Sequence, residues 1–157
     1  MLATAAGLPK KSLSLSEKEV FLLVFISIAE RILGRKRLQK LMYLLMKKKN
    51  IVVPFHFEPY LFGPFSRDLQ FTISELVNRG FIKENVIEIA PDYVGYEYSL
   101  TTKGKKIVET LIKSFDKRIL NEIKVFLREY RDKEIHEIVR EAYAYMESEI
   151  YNRKNSE

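Results

Sequence analysis

Between Arg31 and Phe57 the chain carries Arg31, Arg35, Lys36, Arg37, Lys40, Lys47, Lys48 and Lys49, and not one Asp or Glu. The chemistry open to such a run is neutralisation of a polyanion, because each Lys or Arg set against a phosphate releases a condensed counterion. Arg35, Lys36, Arg37 and Lys40, at the start of a helical pattern, are the phosphate-facing candidates. The competing reading is a solvated helix face, with Lys47 to Lys49 placed at the negative end of the helix dipole. A second set follows at spacings of three and four: Arg67, Gln70, Ser74 and Asn78 share one helix face, with Phe71 beside them. Arg and Gln form paired hydrogen bonds with base edges in a major groove, so these four are candidates for facing bases in double-stranded DNA. An ordinary amphipathic helix carries the same residue types toward solvent.

Other chemistries find little support. His56 and His136 are the only histidines, they lie far apart, and neither has metal-ligand spacing or a nucleophile motif beside it. Cys is absent and the six Gly form no phosphate-cradling loop. The expectation is therefore a protein that is not an enzyme, with no metal and no cofactor. With 157 residues, 46% of them hydrophobic, the chain is about one domain. Its formal net charge of +6 favours an anionic partner. The apolar run Val20 to Ala29 is too short to cross a bilayer, and Glu30 and Arg31 follow it where a leader would be cleaved. No membrane partner and a cytoplasmic location are expected.

Several elements must position these residues. Met1 to Leu15 reads as a flexible arm with Lys10 and Lys11. Ser16 and Glu19 make a capping box for a first helix, apolar on nearly every side and ending near Gly34. A second helix spans about Lys36 to Lys49, buries Leu38, Leu41, Met42 and Leu45, and stops at Asn50. "FGPFS" reads as a turn at Gly63-Pro64, after which Ser66 caps a third helix with the stripe Leu69, Ile73, Leu76 and Val77, ended by Gly80. "FIKENVIEIA" and "YEYSLT" read as two strands joined through "PDYVG", and Thr101 or Thr102 starts a fourth helix. Helix, helix, helix, hairpin, helix is a winged helix-turn-helix, a mainly α fold with a small β-hairpin (α+β), over residues 16–114. The hairpin sets Lys83 against Glu84, Glu88, Asp92 and Glu97, one positive against four negative charges, and such a wing repels phosphate.

The segments "RLQKLMYLL", "YLFGPFSRDL", "LVNRGFI" and "YSLTTKG" resemble the YwgA-type and Panacea-type winged-helix group of prokaryotic proteins, over about Arg37 to Gly104. The resemblance implies DNA-binding regulation of transcription or, as in Panacea-type antitoxins, the binding of a protein partner. It supplies no catalytic residue. Residues 115–157 add two helices with apolar lines of their own, which must pack back on the winged-helix domain or on a second copy of the chain; the second is favoured, with Ile119, Ile123, Phe126, Tyr130, Ile135, Val139 and Met146 expected to form a homodimer interface. The expected function is a homodimeric DNA-binding regulator; the alternative is a protein-interaction module of the same fold, favoured by the acidic wing and Phe71.

Overall fold

In the computed structural model, which describes residues 14–61 and 63–156, cap chemistry sets the helix boundaries. Eleven elements follow in order among the described residues: α1 (Glu17–Ala29), β1 (Arg31–Leu33), α2 (Arg35–Lys49), β2 (Glu58–Tyr60), β3 (Gly63–Phe65), α3 (Arg67–Asn78), β4 (Ile82–Ala90), β5 (Tyr93–Leu100), α4 (Thr102–Leu111), α5 (Lys117–Tyr130) and α6 (Ile135–Asn155). The arm expected over residues 1–15, with Lys10 and Lys11, lies outside the described residues apart from Ser14 and Leu15.

Ser16 Oγ accepts from the Glu19 amide at 3.1 Å while Glu19 Oε1 accepts from the Ser16 amide at 2.9 Å, and this reciprocal pair starts α1. All seven residues from Val20 to Ile26 are buried, so α1 is the central post of the core, touched by α3, α4, α5, β1 and β5. It stops at Ala29 rather than near Gly34. Glu30 turns the chain at φ +70°, and the next three residues leave the helix to pair with β5, Ile32 opposite Tyr98. At the far end of α2, Asn50 takes the left-handed conformation and its amide returns to the Met46 carbonyl.

The main sheet is antiparallel in the order β1-β5-β4. The β4–β5 hairpin is longer than its turn segment suggests: Tyr93, Val94 and Gly95 are already strand, opposite Ala90, Glu88 and Ile87. One extra residue on β4, Ile89, makes a bulge between Glu88 and Ala90. A Cβ at Gly95 would collide with Ile89 Cδ1, so this glycine seats the bulged side chain. Gly63 and Pro64 are not a turn, because they pair with Tyr60 and Pro59 in the β2–β3 hairpin. Beyond α3, Gly80 at φ +79° lets the Phe81 amide reach the Leu76 carbonyl at 3.0 Å and its own amide reach Val77, closing the helix. Thr101 Oγ1 accepts from the Gly104 amide and starts α4.

The C-terminal helices correct the expected dimer interface. Ile123, Phe126, Tyr130 and Met146 are buried inside this chain, Phe126 completely, with its ring stacked on Tyr130 at 4.4 Å. Helix α5 covers α1 and α2, and α6 covers α2 and β3. One apolar cluster runs from Leu15 to Met146, with Ile119 packed against it and Ile135 and Val139 half-buried. The physical reason is that α1 and α2 leave apolar sides open, and the two amphipathic stripes cover them within the same chain.

Candidate functional site

Helix α2 was the expected phosphate surface, and its cations point elsewhere. Lys40 is only 5% exposed, and its Nζ donates to the Pro64 carbonyl at 2.9 Å. Burial, with Lys36 adding repulsion, pulls its pKa down to about 8. It is not a phosphate-facing residue, since the β2–β3 hairpin lies over it. Arg37 donates to the carbonyls of Leu33 (3.2 Å) and Lys133 (3.1 Å), and burial lowers its pKa. That guanidinium bridges β1 to the turn after α5 and is likewise corrected as a phosphate contact. Arg35 donates to Tyr98 Oη at 3.0 Å, approaches Glu84 at 3.4 Å and lies 4.0 Å from the Tyr96 ring centre. The Tyr98 hydrogen bond is the main cause of its raised pKa.

At the other end of α2, Lys47 pairs with Glu149, Lys48 with Glu141 at 3.1 Å and Lys49 with Glu129 at 3.0 Å. Glu149 also accepts from Tyr43, and Glu141 from Tyr130 at 2.7 Å. The hydrogen bond from Lys49 holds Glu129 below its usual pKa. These three pairs bind α5 and α6 to the basic end of α2. Arg31, at the other border of the run, pairs with Glu97 at 3.4 Å. Of the eight cations, Lys36 alone is exposed without a recorded side-chain partner among the described residues.

Helix α3 differs. Its position is set from beneath by buried Gln39 of α2, whose amide nitrogen donates to the Ser66 carbonyl at 2.9 Å and whose oxygen accepts from the Ser66 amide at 2.8 Å. Ser66 Oγ in turn accepts from the Leu69 amide at 3.2 Å. With Leu69, Thr72, Ile73 and Leu76 buried, the outer face presents Arg67, Phe71, Ser74 and Asn78, while Gln70 is half-buried. Ser74 Oγ returns to the Gln70 carbonyl at 3.1 Å, so its hydroxyl proton is engaged within the helix.

Two neighbours were not assigned from the sequence. Arg67 Nε donates to Tyr60 Oη at 3.1 Å, which brings the β2–β3 hairpin onto the first turn of α3. Leu61, next to Tyr60, is 82% exposed, and Phe71, one helical turn beyond Arg67, is 66% exposed. The result is an apolar and aromatic face, Tyr60, Leu61 and Phe71, around one arginine. The available signal was the pair Tyr60 and Leu61 in a short hairpin, where the Tyr60 ring meets Phe65 at 5.5 Å and Leu61 is left exposed.

Elsewhere, a groove of about 1340 Å³ opens between α1, α4 and the α5–α6 turn, with Ile28, Leu41, Val108 and Leu127 in its floor. Its rim mixes Glu30, Glu109 and Asp132 with Lys105 and Arg131, so it selects no single ligand charge. His56 is exposed beside Glu58 at 3.4 Å, and no three acidic or histidine side chains converge as metal ligands among the described residues. Nor is any helix there long and apolar enough to cross a membrane.

No family model matches the chain. It is similar to a Bacillus subtilis (strain 168) protein named uncharacterized protein YwgA, with 37% identity over 97 residues, 60% of this chain and 55% of that protein. The chain thus spans about half the length of the curated relative it matches. The likeness supports a YwgA-type grouping.

Proposed function

We propose that the chain is a winged-helix module that binds a protein partner through the outer face of α3 and the adjoining β2–β3 turn. The observation that carries this reading is the exposed group Tyr60, Leu61 and Phe71 around Arg67. Tyr, Phe and Arg are enriched where proteins meet, and large apolar side chains gathered on a surface mark such a site. The electrostatics point the same way. Cations that would form a phosphate footprint are held by Glu84, Glu97, Glu129, Glu141, Glu149 and backbone carbonyls of the same chain.

A second reading, DNA recognition by α3, is favoured by the exposure of Arg67 and Asn78 on a capped helix and by Lys36 at the start of α2. One pair of measurements separates the two. A photo-crosslinking residue in place of Phe71 should capture a discrete protein in cells, while one in place of the isolated, 92% exposed Val52 should not. In parallel, the purified chain is offered genomic fragments and the retained ones are sequenced. Retention of a defined sequence that Arg67→Ala or Gln70→Ala weakens by about 1 to 3 kcal/mol, with little change on random DNA, would sink the protein-binding reading.

A further inference from the structure

We propose that the outer edge of β4 is a second docking surface, which adds an extended, basic peptide segment of a different protein as a further antiparallel strand. β4 ends the sheet order β1-β5-β4, so its outer edge has no strand partner among the described residues. An unpaired edge is a row of free amides and carbonyls able to template another strand. Beside it Val86, Ile89, Tyr93 and Val94 are all exposed, more apolar surface than a solvated hairpin requires.

Charge identifies the occupant. Of the four wing acids, Glu84 and Glu97 are held by Arg35 and Arg31, whereas exposed Glu88 and Asp92 have no recorded partner among the described residues. A second copy of the chain gains nothing from charge: in two-fold pairing of two β4 edges Lys83 never stands opposite Glu84 or Glu88, and the registers about Glu84, Val86 and Glu88 set carboxylates directly opposite one another. An anionic membrane is repelled by the same carboxylates. A cationic strand is attracted by exposed Glu88, while Lys83, the one cation on β4, lies on the opposite face of the strand.

Register sharpens the chemistry. Residues directly opposite in an antiparallel pair share a face, and on β4 Glu84, Val86 and Glu88 alternate with Asn85 and Ile87. The bulge at Ile89 ends the regular run. Read along its own direction, the complementary strand therefore places a cation opposite Glu88, apolar residues opposite Ile87 and Val86, and polar residues opposite Asn85 and opposite Glu84, whose charge Arg35 already holds. This surface is separate from the α3 face, and neither proposal depends on the other.

The probe is the fluorescent peptide TTKVVTTT, with TTEVVTTT as its charge-reversed control, titrated into the full chain with backbone-amide hydrogen exchange followed. The basic peptide should bind saturably and slow exchange within Lys83 to Glu88. Glu88→Lys, at an exposed site whose folding circular dichroism checks, should weaken it about three- to fivefold and shift preference toward the acidic peptide. Phe71→Ser should leave binding unchanged. Three outcomes overturn the inference: no saturable binding up to about 1 mM, protection outside β4, or slowed exchange on concentrating the chain alone, which would assign the edge to a second copy.

Discussion

Helices α2 and α3 begin from similar material and end in opposite roles. Both are amphipathic and both set cations and amides on the side away from their apolar stripe. On α2 nearly every one of those charges meets a carboxylate or carbonyl of the same chain, because α5, α6 and the β2–β3 hairpin close over it. On α3 the outer face stays open, and its one exposed cation is paired with a tyrosine of the hairpin. Charge density along a sequence thus measures only the supply of charge. Whether it serves folding or a partner depends on what packs above it, and here the densest cationic run serves the fold.

The largest effect that could break this contrast lies in the cover itself. Phe126 is fully buried in α5, so Phe126→Ala should cost about 3 to 5 kcal/mol, measured by urea denaturation. Cutting the chain after Ser114 should leave an aggregating or unfolded fragment, because it strips the covering side chains from α1 and α2. If light scattering instead showed a stable monomer formed from a full-length dimer, the C-terminal helices would return to the role of an interface.

Local chemistry explains what was legible in advance. Ser16 with Glu19, Ser66, Gly80, Thr101 and Asn50 each perform the expected boundary role, since a cap is formed by residues within a few positions of each other. The three-residue strands β1, β2 and β3 were illegible, because three residues carry no period and their pairing is decided by distant segments. Helical stripes showed which sides of α5 and α6 are apolar, not which surface they meet. For the candidate site, Arg67, Ser74 and Asn78 were placed on the open face from spacing alone. Tyr60 and Leu61 join them only through the fold of the hairpin, and Lys40 disappears beneath that same hairpin.

Lys40 offers an intermediate effect with a definite sign. Its folded pKa of about 8 lies below the ordinary value of 10.5. Between those values the unfolded chain holds a proton that the folded chain has released, so the folded state gains stability as pH rises through that window. Relative to Lys40→Met, the native protein should gain at most ~1.4 kcal/mol per pH unit above about pH 8. Urea midpoints from pH 7.5 to 9.5 (about the lower half of the window) test this before exposed tyrosines ionise. Equal slopes for the two proteins would mean that Lys40 stays hydrated and charged, restoring it to the surface available to phosphate.

The smallest effect compares the two faces directly. Exposed or half-exposed ion pairs are each worth about 0 to 1 kcal/mol and are screened by salt. Lys48→Ala with Lys49→Ala removes two pairs and the contact of Lys48 with the Tyr130 ring, so the double variant should lose roughly 1 kcal/mol at low salt and clearly less at high salt. Arg67→Ala with Phe71→Ser removes nothing on which the core rests, and its stability should stay within about 0.5 kcal/mol of the native chain at either salt. The same double variant should nevertheless lose the partner captured at position 71. If it proved the more damaging of the two by denaturation, the open face of α3 would be part of the folding core and could not be a free docking surface. If the lysine variant lost nothing at low salt, the pairs along α2 would be too weak to compete with a phosphate backbone. The second reading would then regain its electrostatic footprint.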